Sequence, residues 1–258
     1  MSRFILVLAL SALGFSFPSF AARTAIRVGA YQFPPYFDAG SNKTHGLTVE
    51  TVNILNSIQR DYNFEIQRLP ASQRYAHFGK RIDMFLFEDP AWEWSKSTYE
   101  FLPLDVEDGE VYITKAGSSA PKNFEELKAM KIAIVKGFHY GFAGLDADER
   151  TLKRNFRVEM ADDSDGAIHL VLTGVADVTV LAKSYIYEYL RQHTENRDKF
   201  TISNNYDSTY KLGVVFNPTG RIRREKLEPL LSKLKKDERF IKLVDDRFTM
   251  PAPPKTGK

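Results

Sequence analysis

Two hydrophobic rhythms alternate along most of the chain. Ile26–Gly29, Ile82–Phe87 (IDMFLF) and Lys131–Val135 (KIAIV) are nearly continuous apolar runs, the pattern of strands buried on both faces. Phe64, Ile66 and Leu69, and then Glu110–Thr114 (EVYIT), come closer to strand alternation. Between these runs lie helical spacings. Val52, Leu55, Ile58 and Tyr62 predict a helix over 47–62, with Thr48 as its N-cap and Glu50 in its first turn. A short helix is predicted over 72–80. The small-residue stretch Ala116-Gly117-Ser118-Ser119-Ala120-Pro121 then interrupts the pattern, which restarts behind it. Asn123 with Glu126 forms a capping box. Helices near 147–154, 164–172 and 183–193 alternate with strands at 158–160 and 177–181. A crossing at 203–209 returns the chain to a strand at 211–216. Leu227, Leu230, Leu231 and Leu234, then Phe240, Ile241 and Val244, predict two closing helices.

Strand–helix alternation predicts mostly parallel sheet flanked by helices. The restart and the late return predict an α/β fold of two lobes joined by two crossing segments. Lobe 1 is expected over 23–115 plus 208–250, and lobe 2 over 116–207. The Pro-, Lys- and Gly-rich tail 251–258 is expected to be disordered.

The first 22 residues break this rhythm. Arg3 precedes an apolar run from Phe4 to Phe17, and Ser19 and Ala21 give an A-x-A-like cleavage site, the three parts of a secretory signal peptide. No later run reaches the roughly 20 apolar residues of a membrane span, so the expectation is a protein released into the periplasm. Cys is absent, which removes disulfides, thiol chemistry and Cys-ligated metal. The composition, 43% hydrophobic and 27% charged, is that of a globular domain. A net charge of +3 argues against a nucleic-acid face.

Five landmarks in order carry a family resemblance: IRVGAYQFPPYF, HGLTVETVNIL, GKRIDMFLF, LTGVADVTVL and KLGVVFNPTG. The chain resembles the family 3 extracellular solute-binding proteins, the two-lobed periplasmic receptors of amino-acid ABC importers. The resemblance implies a type II periplasmic-binding-protein fold, capture of a small molecule between the lobes, and a membrane permease or membrane sensor as partner. It also makes the departures informative. Where relatives that bind α-amino acids carry a carboxylate-gripping arginine, this chain has Ser95; where they carry an ammonium-binding aspartate, it has Ala182, beside Lys183. Phe87 and Glu88 replace the usual Ser/Thr pair. A pocket lacking both charges would hold an α-amino acid poorly.

The candidate ligand-binding residues are Tyr36, Phe87, Glu88, Trp92, Trp94, Phe138 and His139. Tyr36 sits in an aromatic loop with Tyr31, Phe33 and Phe37. Glu88 beside Phe87, Trp92 and Trp94 suits an amine-bearing solute through ion pairing and cation–π attraction. Phe138 and His139 follow a buried strand. Asp162, Asp163 and Asp165 lack the spacing of a calcium loop and suit a helix N-terminus. His45, His77, His139, His169 and His193 show no metal-ligand spacing, and no catalytic triad motif is present. The expectation is therefore a monomeric, non-enzymatic receptor without metal or cofactor. Its alternatives are a sensory or partner-binding module, or a lyase using Glu88 with His139.

Overall fold

The computed structural model describes residues 22–40, 44–92, 94 and 98–249. The proposed signal segment as far as residue 21, the tail 251–258 and the Ser95 position lie outside the described residues. Eight strands form one sheet: β1 (Thr24–Ala30), β2 (Tyr62–Arg68), β3 (Met84–Glu88), β4 (Glu100–Lys115), β5 (Ile132–Val135), β6 (Val158–Ala161), β7 (Val178–Ala182) and β8 (Phe200–Phe216), in the order β2-β1-β3-β8-β4-β7-β5-β6. The helices are α1 (Leu47–Ile58), α2 (Arg74–His77), α3 (Phe124–Ala129), α4 (Glu149–Asn155), α5 (Ser164–Leu172), α6 (Lys183–Gln192), α7 (Arg224–Leu234) and α8 (Glu238–Phe248).

The pairing explains the two lobes. β1 pairs parallel with β2 and β3, and β5 pairs parallel with β6 and β7. Between these parallel sets run β4 and β8, paired antiparallel with each other along nearly their full lengths. One apolar core joins the first set to α1, α7 and the first half of β4 through Ile26, Val28, Leu55, Met84, Leu104 and Leu231. Two further clusters lie around β5 and β7, one holding Ala133, Ile168 and Ile186, the other Ile134, Tyr140 and Val180. β4 changes core within one strand: Leu102, Leu104 and Val106 join the first, whereas Val111 and Ile113 join the second. The sequence reading ends lobe 1 at Lys115. In the structure second-core packing already begins at Val111, within the one strand β4 and beside a register shift of its ladder with β8, ahead of the small-residue stretch that follows.

Local chemistry accounts for the helix starts. Asn123 accepts from the Glu126 N–H at 2.9 Å, capping α3, and Asp163 accepts from the Gly166 N–H at 2.8 Å, capping α5. The first helix departs from expectation. Its N-cap is Gly46, at φ 116°, and Thr48 is buried inside the helix. The Leu47 and Thr48 N–H groups donate instead to the carbonyls of Pro35 and Tyr36, at 3.0 and 2.8 Å. These bonds spare α1 a side-chain cap and fix the Pro34-Pro35 loop, which contains a cis peptide bond, against the helix.

Candidate functional site

The two parallel sets point their carboxyl ends toward each other, the usual place for a ligand cleft in α/β sheets. The ends of β1, β2 and β5 open onto a chamber of about 720 Å³. Lobe 1 lines it with Tyr31, Arg68 and Ser72 among others; lobe 2 lines it with Lys136, Phe138 and Glu149. Deeper in, Tyr31, Phe33, Arg74, Trp92, Glu110, Gly137, Phe138 and His139 enclose a cavity of about 20 Å³, room for roughly one water molecule. Tyr31, Gly137 and Phe138 belong to both linings, so the cavity and the chamber adjoin along these residues.

Three of the sequence-predicted residues therefore meet at the inner cavity: Trp92, Phe138 and His139. Phe33 joins their aromatic rings, with Trp92 edge-on at 5.8 Å and Phe138 edge-on at 5.5 Å. Phe138 packs against all three apolar clusters and closes the gap from the lobe 2 side. The other four do not line this cavity. Tyr36 is buried and donates its hydroxyl to Asp108 at 2.6 Å. Asp108 also accepts from the Ser184 hydroxyl at 2.5 Å, so it ties the lobe 1 loop to the start of α6. Phe87 stands at the bulge of β3, φ 58°, with its ring 5.4 Å from Tyr36. Trp94 is fully buried among Tyr75, Phe78 and Phe85.

Glu88 is engaged within lobe 1. It accepts from Trp94 Nε1 at 3.1 Å and hydrogen-bonds the Tyr31 hydroxyl. Burial raises its carboxyl above the ordinary range, while the attraction of Arg74 opposes that rise. Arg74 is a site residue that the sequence reading missed. It lies on α2, is only 3% exposed, and places its guanidinium 5.0 Å from the Tyr31 ring centre and 4.5 Å from that of Tyr75. Its Nη2 donates to the Tyr75 hydroxyl at 2.7 Å and lies 3.3 Å from His139 Nδ1, across the lobe boundary. An arginine always donates, so Nδ1 must be the accepting nitrogen in that contact. Arg74 Nε has no hydrogen-bond acceptor among the described residues. Nothing in the short polar stretch around Arg74 marked it.

Glu110 is the second missed residue, and here a signal was present. Leu104, Val106, Asp108 and Glu110 fall on the buried parity of β4, so two carboxylates continue an apolar face. Glu110 is 5% exposed and accepts one hydrogen bond, from the Ser208 hydroxyl at 3.2 Å. Burial raises its carboxyl well above the ordinary range, and repulsion from Asp207 adds to the rise. In the ladder it lies directly opposite Ala182, the position where the family resemblance leads one to expect an aspartate. Asp207 anchors the loop that carries Phe138 and His139: it accepts from the Gly141 and Phe142 N–H groups at 2.6 and 2.9 Å, and from the Tyr112 hydroxyl at 2.7 Å. The aspartates at 162–165 hold structural partners as well. Asp162 pairs with Lys136 at 2.5 Å, and Asp165 accepts from the Tyr185 hydroxyl at 2.6 Å.

No protein-family model and no curated protein matches the chain. Solved structures match over most of its length. It is similar to an ancestral arginine-binding protein bound to arginine, at 19% identity and TM-score 0.66, covering 88% of this chain and 99% of that one. It is similar to the GluR0 ligand-binding core in complex with L-glutamate, at 14% identity and TM-score 0.70, covering 89% and 100%. It is also similar to a histidine kinase sensor domain with similarity to periplasmic binding proteins, at 17% identity and TM-score 0.66, covering 90% and 98%. The fold is that of the type II periplasmic binding proteins, as the sequence resemblance implied.

Proposed function

We propose that this chain is a periplasmic solute-binding protein that captures a small polar or amine-bearing solute between its lobes and passes it to an ABC-type importer. The carrying observation is a cavity built from both lobes and a crossing strand: Arg74 and Trp92 from one side, Gly137 to His139 from the other, Glu110 from β4. Such a cavity assembles only when the lobes meet, so a solute seated there favours the closed arrangement over an open one. The similarity to binding proteins for arginine and glutamate supports a receptor on this scaffold. The similarity to a histidine kinase sensor domain favours a second reading, in which the closed form signals to a membrane sensor. The lyase alternative is disfavoured by Arg74, whose charge faces Glu88 and whose Nη2 reaches His139, so the two proposed catalytic groups share one permanent cation.

Native mass spectrometry of protein purified from its own periplasm tests the receptor reading. A co-purifying small molecule is expected, and adding it back to stripped protein should contract the solution-scattering envelope. Protein that carries no small molecule and keeps one envelope in the presence of periplasmic extract would defeat the reading.

A further inference from the structure

We infer that Glu110 is the ligand-recognising carboxylate of this cleft, and that the solute it selects presents an ammonium group to an aromatic box of Tyr31, Phe33, Trp92 and Phe138. The inference rests on the receptor reading above and specifies its ligand.

Charge balance carries the argument. Two ionisable side chains of opposite sign line the inner cavity, Arg74 and Glu110. The Arg74 charge is already balanced by Glu88, and its guanidinium lies over two tyrosine rings. Glu110 has no such balance. Among the described residues no Lys or Arg nitrogen pairs with it, and its charged neighbours Asp108 and Asp207 carry the same sign. A buried carboxylate without a cation is costly, and it either keeps a proton or waits for a cation from outside. His139 and the Tyr31 hydroxyl are the other titratable groups in the same lining.

Two further observations point to a ligand at this place. Tyr210, outside the lining but packed edge-on against Trp92 and within electrostatic reach of Glu110 and Asp108, buries an Oη that has no hydrogen-bond partner among the described residues. Four aromatic side chains share that lining with the carboxylate, and a ring face turned to an ammonium attracts it through the ring quadrupole. The cavity has room for little beyond such a head group. The rest of the solute would lie in the adjoining chamber of about 720 Å³, whose size falls in the range of small-molecule sites. Arg68, Lys136, Glu149 and Asp162 line that chamber and leave it with no net charge to oppose a cationic solute.

Calorimetric titration of the mature chain tests the inference with n-butylammonium and 1,4-diaminobutane, against n-butanol, tert-butanol and acetate. The ammonium ions should bind at least about 10-fold more tightly than the neutral alcohols, and acetate should not bind. Glu110→Gln should abolish that preference, whereas Glu107→Gln, at an exposed carboxylate of β4 outside both linings, should keep it. The wild-type comparison of n-butylammonium with n-butanol needs no variant, so a poorly folding Glu110→Gln leaves the test intact. Equal binding of the charged and neutral probes, or an undiminished preference in a folded Glu110→Gln protein, would overturn the inference. Lobe closure driven by acetate alone would overturn it too, while sparing the receptor reading. Failure of every probe and of periplasmic extract to change the scattering envelope would sink both.

Discussion

Two tryptophans two residues apart have different duties. Trp94 is fully buried, edge-packed on Tyr75 and Phe78, and its indole N–H is spent on Glu88. Trp92 lines the inner cavity and meets Phe33 and Tyr210 edge-on at 5.8 and 5.0 Å. Trp94→Ala should therefore destabilise lobe 1 by about 3–5 kcal/mol, the usual result of deleting a large buried side chain. Trp92→Ala should lower the affinity for ammonium probes far more than it lowers the unfolding midpoint. Urea unfolding of both variants beside probe titrations checks the split, and equal losses of stability would refute it. Sequence could not separate the pair, because their difference lies in which neighbours from distant strands they meet. Glu88 teaches the same lesson. Its place after a buried strand marked it as a site residue, but the carboxylate is held inward by Trp94 and by Tyr31, and the charge that faces it, Arg74, comes from 14 positions earlier.

At the scale of elements, the two crossing strands decide the pH behaviour. β4 carries Asp108 and Glu110, and β8 carries Asp207; burial raises all three carboxyls above the ordinary range. Hydrogen bonds from Ser184 and Tyr36 oppose the rise at Asp108, and those from Tyr112, Gly141 and Phe142 oppose it at Asp207. A folded-state value above the unfolded one means that the native protein holds protons the unfolded chain has released. The associated stability is present below the unfolded carboxylate range near ~4 and is lost as pH climbs through the folded values. Asp83, held low by its two-pronged bond to Arg27 at 2.8 and 2.9 Å, acts oppositely and loses its contribution only below that range. The ligand-free unfolding midpoint should accordingly fall from pH 5 to pH 8, and Glu110→Gln should flatten the slope. Thermal melts across that interval decide it, and a midpoint that rises with pH contradicts the account. The strands were readable because buried apolar runs announce themselves, as IDMFLF and KIAIV do. β4 was readable only in its second half, since Pro103 and the bulge around Asp105, φ 58°, break the alternation that identifies a strand. The carboxylates on its buried face were legible in LDVEDGEV, but their meaning depends on what the facing lobe brings to them.

For the whole molecule the question is what holds the lobes together without a solute. Besides the crossing strands, contacts that span the boundary include Tyr36 with Ser184 through Asp108, Arg74 with His139, Phe33 with Phe138, and the docking of α8 on α6. The last is the most separable from the cleft. α8 packs its Phe240 into the lobe 1 core, while its end reaches lobe 2. There Glu188 of α6 accepts from Arg191 Nη1 and Arg247 Nη1, at 2.9 and 2.8 Å, and Arg191 Nη2 donates to the Asp246 carbonyl at 2.8 Å. Burial would raise the Glu188 carboxyl, but a hydrogen bond from Gln192 and the two arginines hold it below its usual range. Because Glu188 and Arg247 are only about a quarter exposed or less, their pair is shielded from solvent better than a surface ion pair, and its loss is felt. Arg247→Met keeps the apolar stem of the side chain and removes the charge that joins α8 to α6. The variant should retain its secondary structure, show a larger ligand-free radius of gyration by solution scattering, and bind ammonium probes more weakly, since part of each binding event must now go into closing the lobes. An unchanged scattering curve would mean that the crossing strands and the contacts within the cleft set the angle between the lobes.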